Sequence, residues 1–528
     1  MRIPLSWLAE FADLPVGTTP AALHAALVRV GFEEETVHGG ELSGPVVVGE
    51  VLGFTPEPQK NGKTIRWCSV RVAPEGHRAA DGGEAVRGIV CGAGNFLEGD
   101  KVVVTLPGAV LPGPFPIAAR KTYGHVSDGM IASSRELGLS YEAASDTSAG
   151  ILRLTEIGLD PEVGTDAIAL LGLDDAAVEI NVTPDRGYAL SIRGIAREYA
   201  ASTGAAFRDP ALAVSPPDTD DGVVPVAVDD ATPIRGRAGC TVFVTRVVRG
   251  IDPASPTPRW MASRLRLAGV RSISLAVDVT NYVMLEIGQP LHGYDLAALD
   301  GPSTGSGGPR LGVRRAKPGE TLTTLDGQQR ALAPEDLVIT DGSRAIGLAG
   351  VMGGATTEIS ATTTDVVIEA ANFDPVSIGR TTRRHKLPSE ASRRFERGVD
   401  PAVARAAAQR AVDLLIEHGG GVADAGQTWF DIAEPPAAVL LSPGAVLRRT
   451  GAEVTAAETV AALEAIGCTV AASGQGLLVL PPTWRRDLLE AVDVIEEVVR
   501  IVGYDRIPSM LPVAPPGRGL TRSQRLRR

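Results

Sequence analysis

Hydrophobic and polar positions alternate with two different periods along the chain, and the change of period separates the predicted modules. Leu23, Leu27 and Val30 recur at helical spacing after Thr19-Pro20, which predicts a helix that begins there and ends at Gly31. From residue 45 to about 137 the pattern changes to short apolar runs such as VVVGEVLGF and KVVVTLPG. Runs of this length, broken by glycine, proline and asparagine, are typical of the strands of a small β-barrel.

Helical and strand patterns are interleaved in the second half of the chain. RWMASRLRLAG and the alanine-rich run after Pro401 predict helices that flank strands and a glycine- and serine-rich loop at 301–308. After a proline pair, the pattern Thr455-x-x-Glu458 predicts a capped helix that ends at Gly467. A strand and a last helix, LEAVDVIEEVVRIVGY, follow.

These patterns predict an α+β multidomain protein. The chain has 528 residues, and a single hydrophobic core rarely grows beyond about 250–300 residues. The polar stretch SPPDTDDG is typical of a linker between domains. We expect an N-terminal helical or mixed segment with an inserted β-barrel, a mixed α/β module, and a small α+β domain with a carboxylate-bearing helix. The predicted boundaries are 1–41, 42–155, 156–214, 223–425, 436–511 and 512–528.

Composition restricts the class of protein further. Hydrophobic residues make up 44% of the chain and charged residues 22%, which predicts folded cores. The net charge of −12 excludes a uniformly basic nucleic-acid coat protein but allows local basic patches. The four cysteines form no C-x-x-C pair, which argues against zinc ribbons and thioredoxin-type sites. No segment has the pattern of a membrane span or signal peptide, so we expect a cytoplasmic protein.

Short nucleotide-binding motifs find no support in the sequence. Gly62-Lys63-Thr64 resembles the end of a phosphate-binding loop, but Glu57 occupies the position of the required first glycine. We therefore expect a hairpin turn there. GLAGVMGG lacks G-x-G-x-x-G spacing and predicts a tight turn between strands.

An acidic cluster near the end of the chain is the most informative local pattern. Asp493, Glu496 and Glu497 are spaced by three and four residues, which would bring them to one side of a helix, and Asp487 precedes it. Oxygen ligands without histidine or cysteine suit a hard cation such as Mg²⁺. By spacing alone, the preferred interpretation is a solvated acidic helix face with an aspartate near the positive N-terminal end of the helix. The predicted apolar stripe opposite these acids consists of Val492, Ile495, Val499 and Val502.

The longer motif around these acids resembles a known family. PTWRRD-x5-D-x2-EE-x5-GYDRIP is similar to the signature of the bacterial phenylalanine–tRNA ligase β-subunit family. Further motifs of that family occur in the same order: SWLAEFADLP, GEVLGFTPEPQKNG, VCGAGNFLEGDKVVVTLPGAVL, VDVTNYVMLEIGQPLHGYD, GVMGG and RTTRRHKLPSEASRRFERGVDP. The resemblance extends over nearly the whole chain.

The resemblance implies an assignment for each predicted module. The inserted barrel, 42–155, would be an OB-fold that binds tRNA, 223–425 a B3/B4 editing module, and 436–511 a B5 domain. Residues 512–528 would begin a catalytic-like core, and the family's remaining core and anticodon-recognising domain would lie outside this sequence. The positions that match the family's Mg²⁺ ligands, in a site shared with the α subunit, are Asp487, Asp493, Glu496 and Glu497.

The resemblance also implies an editing pocket that hydrolyses mischarged Tyr-tRNA. Hydrophobic pockets reject an isostere with one extra hydroxyl by only ~10²-fold, so a phenylalanine enzyme needs a second site. Glu369 would accept a hydrogen bond from the tyrosine hydroxyl, and a backbone N–H near Gly353 would donate one. Thr280, Asn281 and His292 would position the ester and the attacking water. Arg271 and Ala391 would complete the lining of the pocket.

The family's reaction implies the partners. Together with the α subunit, in a tetramer of two α and two β subunits, the chain would contribute to ATP-dependent attachment of L-phenylalanine to tRNA(Phe). ATP and L-phenylalanine would bind through the α subunit. Two alternatives remain: a non-catalytic RNA-binding or assembly protein, and a free-standing Tyr-tRNA deacylase.

Two groups of residues are candidates for contact with tRNA. The run 380–397 holds seven lysine and arginine residues against two glutamates, and it would either face tRNA phosphates or pair with internal acids. In the barrel the candidates are Lys60, Lys63, Arg66, Trp67, Lys101, Arg120, Lys121 and Tyr123.

Overall fold

The computed structural model describes residues 1–60, 62–139, 150–300, 309–342, 344–509, 517 and 519–528. The chain divides into two compact units, one of residues 1–28 with 32–434 and the other of 29–31 with 435–528. The predicted loop at 301–308 and most of the start of the segment 512–528 lie outside the described residues.

The N-terminal segment begins with a short strand and two helices. Its elements are β1 (Arg2–Pro4), α1 (Leu5–Phe11), α2 (Pro20–Arg29) and β2 (Glu33–Gly39). The helix predicted after Thr19 is confirmed as α2, and Gly31 beyond its end has a positive φ of 81°, a conformation that suits glycine.

The predicted β-rich region contains a half-barrel sheet. Its strands follow the order β11-β6-β3-β4-β5. The amide of Asp128 donates to the Gly88 carbonyl at 2.9 Å, and the amide of Val90 donates to Ser127 Oγ at 3.0 Å, which links the segment before β11 to β5. The strands are β3 (Val46–Pro58), β4 (Thr64–Arg71), β5 (Val86–Cys91), β6 (Lys101–Thr105), β7 (Val110–Leu111), β8 (Phe115–Pro116), β9 (Arg120–Thr122), β10 (His125–Ser127) and β11 (Met130–Ile131).

After the half-barrel, the chain returns to the N-terminal sheet. The elements are α3 (Ala167–Leu170), β12 (Ala176–Asn181) and α4 (Ile192–Thr203). Strand β12 lies between β1 and β2 and pairs with both in antiparallel fashion, so that Gly39 faces Ala176. Gly62-Lys63-Thr64, in the half-barrel, lies at the connection of β3 to β4, as the sequence predicts.

The mixed module is built around two five-stranded sheets. One has the order β13-β16-β19-β20-β21, and the other contains β15-β22-β14-β23 with β24 also paired to β14. GLAGVMGG forms the predicted tight turn from β20 to β21. The elements are β13 (Val226–Asp229), β14 (Cys240–Arg249), α5 (Arg259–Leu267), α6 (Leu275–Ile287), β15 (Leu291–Asp295), β16 (Leu311–Arg315), β17 (Thr321–Thr323), β18 (Gln329–Ala331), β19 (Leu337–Thr340), β20 (Ala345–Leu348), β21 (Met352–Gly353), β22 (Val366–Phe373), α7 (Pro375–His385), α8 (Glu390–Arg397), α9 (Ala404–Gly419), β23 (Val422–Ala423) and β24 (Thr428–Asp431).

The second unit is a small α+β fold with a three-stranded sheet of order β25-β27-β26. The predicted capping box of Thr455 and Glu458 is present at the start of α11. The elements are β25 (Val439–Leu441), α10 (Ala445–Thr450), α11 (Ala456–Ala465), β26 (Thr469–Ser473), β27 (Gly476–Leu480), α12 (Ala491–Val502) and α13 (Arg522–Leu526).

All four cysteines are buried and unbridged. Among the helices of the described ranges, none combines the length and the apolar character that crossing a membrane requires. The elements form a mixed α/β fold, and the mixed module, the half-barrel and the second unit each contain a core of buried apolar residues.

Candidate functional site

Two neighbouring antiparallel strands bring the first pair of predicted site residues together. His292 on β15 lies directly opposite Glu369 on β22, although 77 positions separate them in sequence. Every residue of β22 is buried, so Glu369 is held inside the module. Directly opposed residues on paired strands lie side by side on one face of a sheet, and these two side chains therefore share one site.

An inner cavity of about 80 Å³ lies over this strand pair. Its lining includes four of the predicted site residues, from four different elements of the fold. These are His292, Glu369, Gly353 on β21 and Ala391 on α8. The rest of the lining is mostly apolar, with Phe373 and Phe395 at one side. The inner cavity therefore combines mostly apolar walls with one buried acid.

A larger outer cavity of about 670 Å³ adjoins the same strand. Thr280 and Asn281 line it from α6, and His292 lines both cavities. The Thr280 hydroxyl donates to the Val277 carbonyl at 2.7 Å, which fixes its rotamer. Arg271 is exposed and lines neither cavity, but it precedes Ile273 and Ser274, which do line the outer cavity. Six of the seven predicted pocket residues thus line one of two cavities that share His292.

Burial shifts the two predicted titratable residues of the inner cavity, His292 and Glu369, toward their neutral forms. It lowers the pKa of His292 to about 4, and Nε2 of this ring has no hydrogen-bond partner among the described residues. Burial raises the pKa of Glu369 to about 7, and a hydrogen bond from the Tyr294 hydroxyl opposes part of that rise. Near neutral pH, His292 is therefore an uncharged imidazole and Glu369 is close to its midpoint of ionisation.

Gly353 lies against the histidine ring. A Cβ atom at this position would be 2.4 Å from His292 Cε1 and 2.7 Å from Nε2, closer than side-chain contacts allow. A residue without a side chain is thus required for the ring to occupy its place between the two cavities.

Two residues of this site do not follow from the sequence patterns alone. Tyr294 lines the inner cavity, and its hydroxyl donates to Glu369. Asp278 on α6 is fully buried and accepts hydrogen bonds from Thr257 Oγ1 at 2.5 Å and from the Ile273 amide at 2.9 Å, so it holds the loop that leads into α6. Both residues lie in the segment VDVTNYVMLEIGQPLHGYD. An acid and a phenol in so apolar a segment indicate buried hydrogen bonds, because a buried polar group requires a partner.

The predicted metal cluster has a different arrangement from the one that its spacing suggests. Arg485 donates to both oxygens of Asp487, at 2.9 and 2.6 Å, and to Glu497 Oε2 at 2.5 Å. Asp493 accepts from the amides of Leu489 and Glu490 and caps α12. Glu496 is exposed. Within the described ranges, no three acidic, histidine or cysteine side chains form a group that could hold a metal ion.

Glu497 is the buried member of the cluster. Burial opposes its ionisation, but hydrogen bonds and charge from Arg500 and Arg485 outweigh that effect and lower its pKa to about 2. The predicted apolar stripe is wrong at Val492, which is 42% exposed, whereas Val494 and Val498 are fully buried. The face that carries Glu497 turns inward because two arginines neutralise the acid there.

Most of the basic run 380–397 is paired inside the module. Arg380 and Arg384 both reach Glu335 at 2.7 Å, and Arg394 pairs with Glu390 at 2.8 Å. Glu335 and Glu390 are themselves 48% and 50% exposed, so these arginines pair with surface acids of their own module.

The barrel candidates divide into half-buried and exposed groups. Arg66 stacks on two phenylalanine rings and donates to the Phe96 carbonyl, Trp67 stacks on His125, and Lys101 pairs with Asp160 at 2.5 Å. The exposed candidates are Lys60, Lys63, Arg120, Lys121 and Tyr123.

The mixed module and the second unit each match a known domain family. Residues 239–420 match the B3/4 domain family, and residues 439–504 match the tRNA synthetase B5 domain family. The whole chain aligns with the phenylalanine–tRNA ligase β subunit of Leifsonia xyli subsp. xyli at 65% identity and with that of Bifidobacterium longum at 49%. It covers 61% and 62% of these two proteins, and thus spans about three fifths of their length.

A solved structure also matches part of the chain. It is an N-terminal fragment of the phenylalanyl-tRNA synthetase β subunit from Pyrococcus horikoshii, with 13% identity, a TM-score of 0.31, and coverage of 62% of this chain and 88% of that one. The identity along the full chain and the two matched domains show that this chain is a relative of the phenylalanine–tRNA ligase β subunits that contains a B3/4 and a B5 domain.

Proposed function

We propose that this chain acts as the β subunit of phenylalanine–tRNA ligase and that its B3/4 domain hydrolyses mischarged Tyr-tRNA(Phe). The observation that carries the proposal is the pair of cavities joined at His292. The inner one ends at a buried acid, and the outer one is large enough for the terminal adenosine of a tRNA. A site built this way distinguishes a tyrosyl from a phenylalanyl ester by one hydrogen bond.

Recognition would occur in the inner cavity. The tyrosyl ring enters among the apolar walls, and its hydroxyl donates to Glu369. A phenylalanyl ring supplies no donor to the carboxylate oxygen that Tyr294 leaves open, and sites built around a hydroxyl reject analogues that lack it by about 10⁴–10⁵-fold. A backbone N–H near Gly353 would complete the contact with the hydroxyl, and Ala391 would bound the ring.

Hydrolysis would occur where the two cavities meet. A water oxygen attacks the ester carbonyl carbon, the bond from that carbon to the ribose oxygen breaks, and a proton passes from the water to the ribose oxygen. Thr280 and Asn281 would hold the ester, and neutral His292 would orient the water through Nε2. Arg271, at the entry to α6, would contact the nucleotide side of the substrate.

The editing proposal can be tested by deacylation assays on the chain alone. We expect it to deacylate Tyr-tRNA(Phe) at least about 10²-fold faster than Phe-tRNA(Phe), because only the tyrosyl ring satisfies Glu369. Glu369→Gln should lower this ratio by at least about tenfold, since the amide is a weaker acceptor than the carboxylate. Both rates would be measured in single-turnover assays. Equal hydrolysis of the two esters by the unchanged chain would contradict the proposal.

The remaining parts of the proposal concern partners and location. With the α subunit, in a tetramer of two α and two β subunits, the chain would contribute to ATP-dependent attachment of L-phenylalanine to tRNA(Phe) in the cytoplasm. ATP and L-phenylalanine would bind through α. The half-barrel, as an OB-fold, would contact tRNA through the exposed residues of the β9–β10 hairpin, Arg120, Lys121 and Tyr123.

We propose further that the acidic cluster of the B5 domain binds Mg²⁺ together with the α subunit. The donor chemistry fits, because all four side chains offer carboxylate oxygens and Mg²⁺ keeps several waters when few carboxylates reach it directly. Glu496 and Asp493 would be the direct ligands, and Asp487 and Glu497, which are engaged by Arg485, would act through water. When bound, the ion would supply positive charge at the subunit interface.

Mg²⁺ binding predicts a stabilisation that depends on Glu496. With the α subunit present, millimolar MgCl₂ should raise the unfolding temperature relative to NaCl of equal ionic strength, because a ligand that binds only the folded state stabilises it. Glu496→Gln should remove that difference without changing stability in EDTA, since Glu496 is exposed. An equal response to Mg²⁺ in both proteins, measured by differential scanning calorimetry, would exclude Glu496 as a ligand.

A further inference from the structure

Tyr294 stands in the inner cavity beside Glu369 and has no part in the hydrolysis described above. It lies on β15 two residues after His292 and is therefore a diagonal neighbour of Glu369 across the strand pair. Its side chain is 1% exposed, and its hydroxyl donates to Glu369 Oε2. Its ring also meets the His292 ring edge-on, with 4.5 Å between centroids. The Tyr294 phenol thus already donates to one oxygen of Glu369, the acid that would bind the phenol of the substrate.

The described residues give Glu369 no cationic partner that would hold it in place. Tyr294 and His292 face it from β15, and the Cys240 thiol of β14 interacts with its charge. The two arginines of β14, Arg246 and Arg249, donate to Asp424 instead. The cavity lining from β20, β21 and α8 is glycine, alanine and other residues that do not titrate. Among the described residues, no lysine or arginine forms an ion pair with Glu369. The orientation of this carboxylate therefore depends on Tyr294.

The Tyr294 hydroxyl remains a donor over the whole range in which the site would work. Burial and the charge of Glu369 hold the pKa of this phenol well above its usual value, and burial does the same for the Cys240 thiol. His292 stays neutral, because burial lowers its pKa to about 4. Ionisation near neutral pH is consequently confined to Glu369 within this group.

We infer that Tyr294 is a positioning residue for phenol recognition: its hydroxyl holds one carboxylate oxygen of Glu369 and leaves the other oxygen to accept from a tyrosyl side chain. The inference rests on the proposed editing function. Without the hydroxyl, the carboxyl group loses its fixed orientation and the one hydrogen bond that favours its anionic form. A protonated acid offers a donor where the substrate needs an acceptor.

The experiment compares two ligands that cannot be hydrolysed. These are the 3′-amides of 3′-amino-3′-deoxyadenosine with L-tyrosine and with L-phenylalanine, whose dissociation constants would be measured by calorimetry on the full chain between about pH 5.5 and pH 9. The preference for the tyrosyl ligand should rise with pH through about 7, the pKa of Glu369. This direction follows because the anion accepts the substrate hydroxyl.

Tyr294→Phe should move this midpoint upward by about one to two pH units, the usual effect of losing one hydrogen bond to a charged group. At pH 7 the preference for the tyrosyl ligand would then fall by roughly tenfold or more and recover in alkaline solution. Tyr282→Phe is the matched control, because this buried phenol bonds to Arg264 at 2.9 Å and lines neither cavity. Its midpoint should equal that of the unchanged chain.

The outcomes separate this inference from the proposed function. An unchanged or lowered midpoint in Tyr294→Phe would overturn the inference. If Glu369→Gln keeps the tyrosyl preference of the unchanged chain, phenol recognition by Glu369 itself fails. If Glu369→Gln loses that preference while Tyr294→Phe behaves like the unchanged chain, only the role of Tyr294 fails.

Discussion

Replacing Gly353 by alanine should reduce hydrolysis of Tyr-tRNA by about 10²-fold, because misplacing a group in a catalytic site by ~1 Å has an effect of this size. The new Cβ atom would lie 2.4 Å from His292 Cε1, so the ring must move. Since His292 lines both cavities, its displacement would disturb the position of the water and of the tyrosyl ring together. Single-turnover deacylation with saturating protein would measure the loss.

Gly347 provides the matched control for that substitution. It faces Gly353 across the β20–β21 pair, but a Cβ atom on Gly347 would meet nothing nearer than 3.6 Å. Gly347→Ala adds the same methyl group to the same wall without moving the histidine, and its loss of activity should be much smaller. Equal losses in the two variants would contradict the role given to His292.

Replacing Glu497 by glutamine should lower the free energy of unfolding of the B5 domain by about 3–5 kcal/mol, the usual result of removing one partner from a buried ion pair. Glu497 is 5% exposed, and its oxygens accept from Arg485 at 2.5 Å and from Arg500 at 2.6 and 2.9 Å. Glutamine would remove the negative charge that the buried guanidinium groups of Arg485 and Arg500 share, while Asp487 stays bonded to Arg485. Hydrogen exchange of the amides of α12, measured in EDTA by mass spectrometry, reports this change directly.

The neighbouring acid is the control for the Glu497 prediction. Glu496→Gln changes the same functional group one residue away at an exposed position, and should alter stability by no more than about 0.5 kcal/mol. The contribution of Glu497 to the free energy of unfolding should also depend on pH in a definite direction. Because the folded state lowers the pKa of Glu497 to about 2, its contribution is complete above the usual carboxyl range and is lost as pH falls toward 2. Similar effects of the two substitutions would contradict the buried network.

Local features of the fold could be predicted from the sequence, but the assembly of the site could not. The helix that starts at Pro20 and the capping box of α11 were predictable because short-range chemistry determines them. The pairing of His292 with Glu369 depends on strand register between distant segments, and no local pattern encodes that register. The motif resemblance supplied those residues, while the shared wall of the two cavities follows only from the tertiary fold.

The acidic helix illustrates a limit of periodicity. Spacing correctly predicts a helix with acids three and four residues apart, but it treats every acid as a solvent-facing residue. Arg485 and Arg500 make the inward position of Glu497 favourable. Arg485 precedes the helix, so a pattern confined to the helix does not include it. Such a pattern assigns Val492 to the buried face and Glu497 to the exposed face, whereas the structure shows the reverse.

The pairing of Gly39 with Ala176 has a consequence for how the chain folds during synthesis. The strand β12 completes the N-terminal sheet only after the half-barrel has been made, because the half-barrel lies between β2 and β12 in sequence. At a synthesis rate of about 5–20 residues per second, β12 is made on the order of ten seconds after β1 and β2, which both pair with it. During that interval the half-barrel can fold from local strand pairs, and its folding brings the two ends of the insertion together, which lowers the entropic penalty of closing the sheet around it.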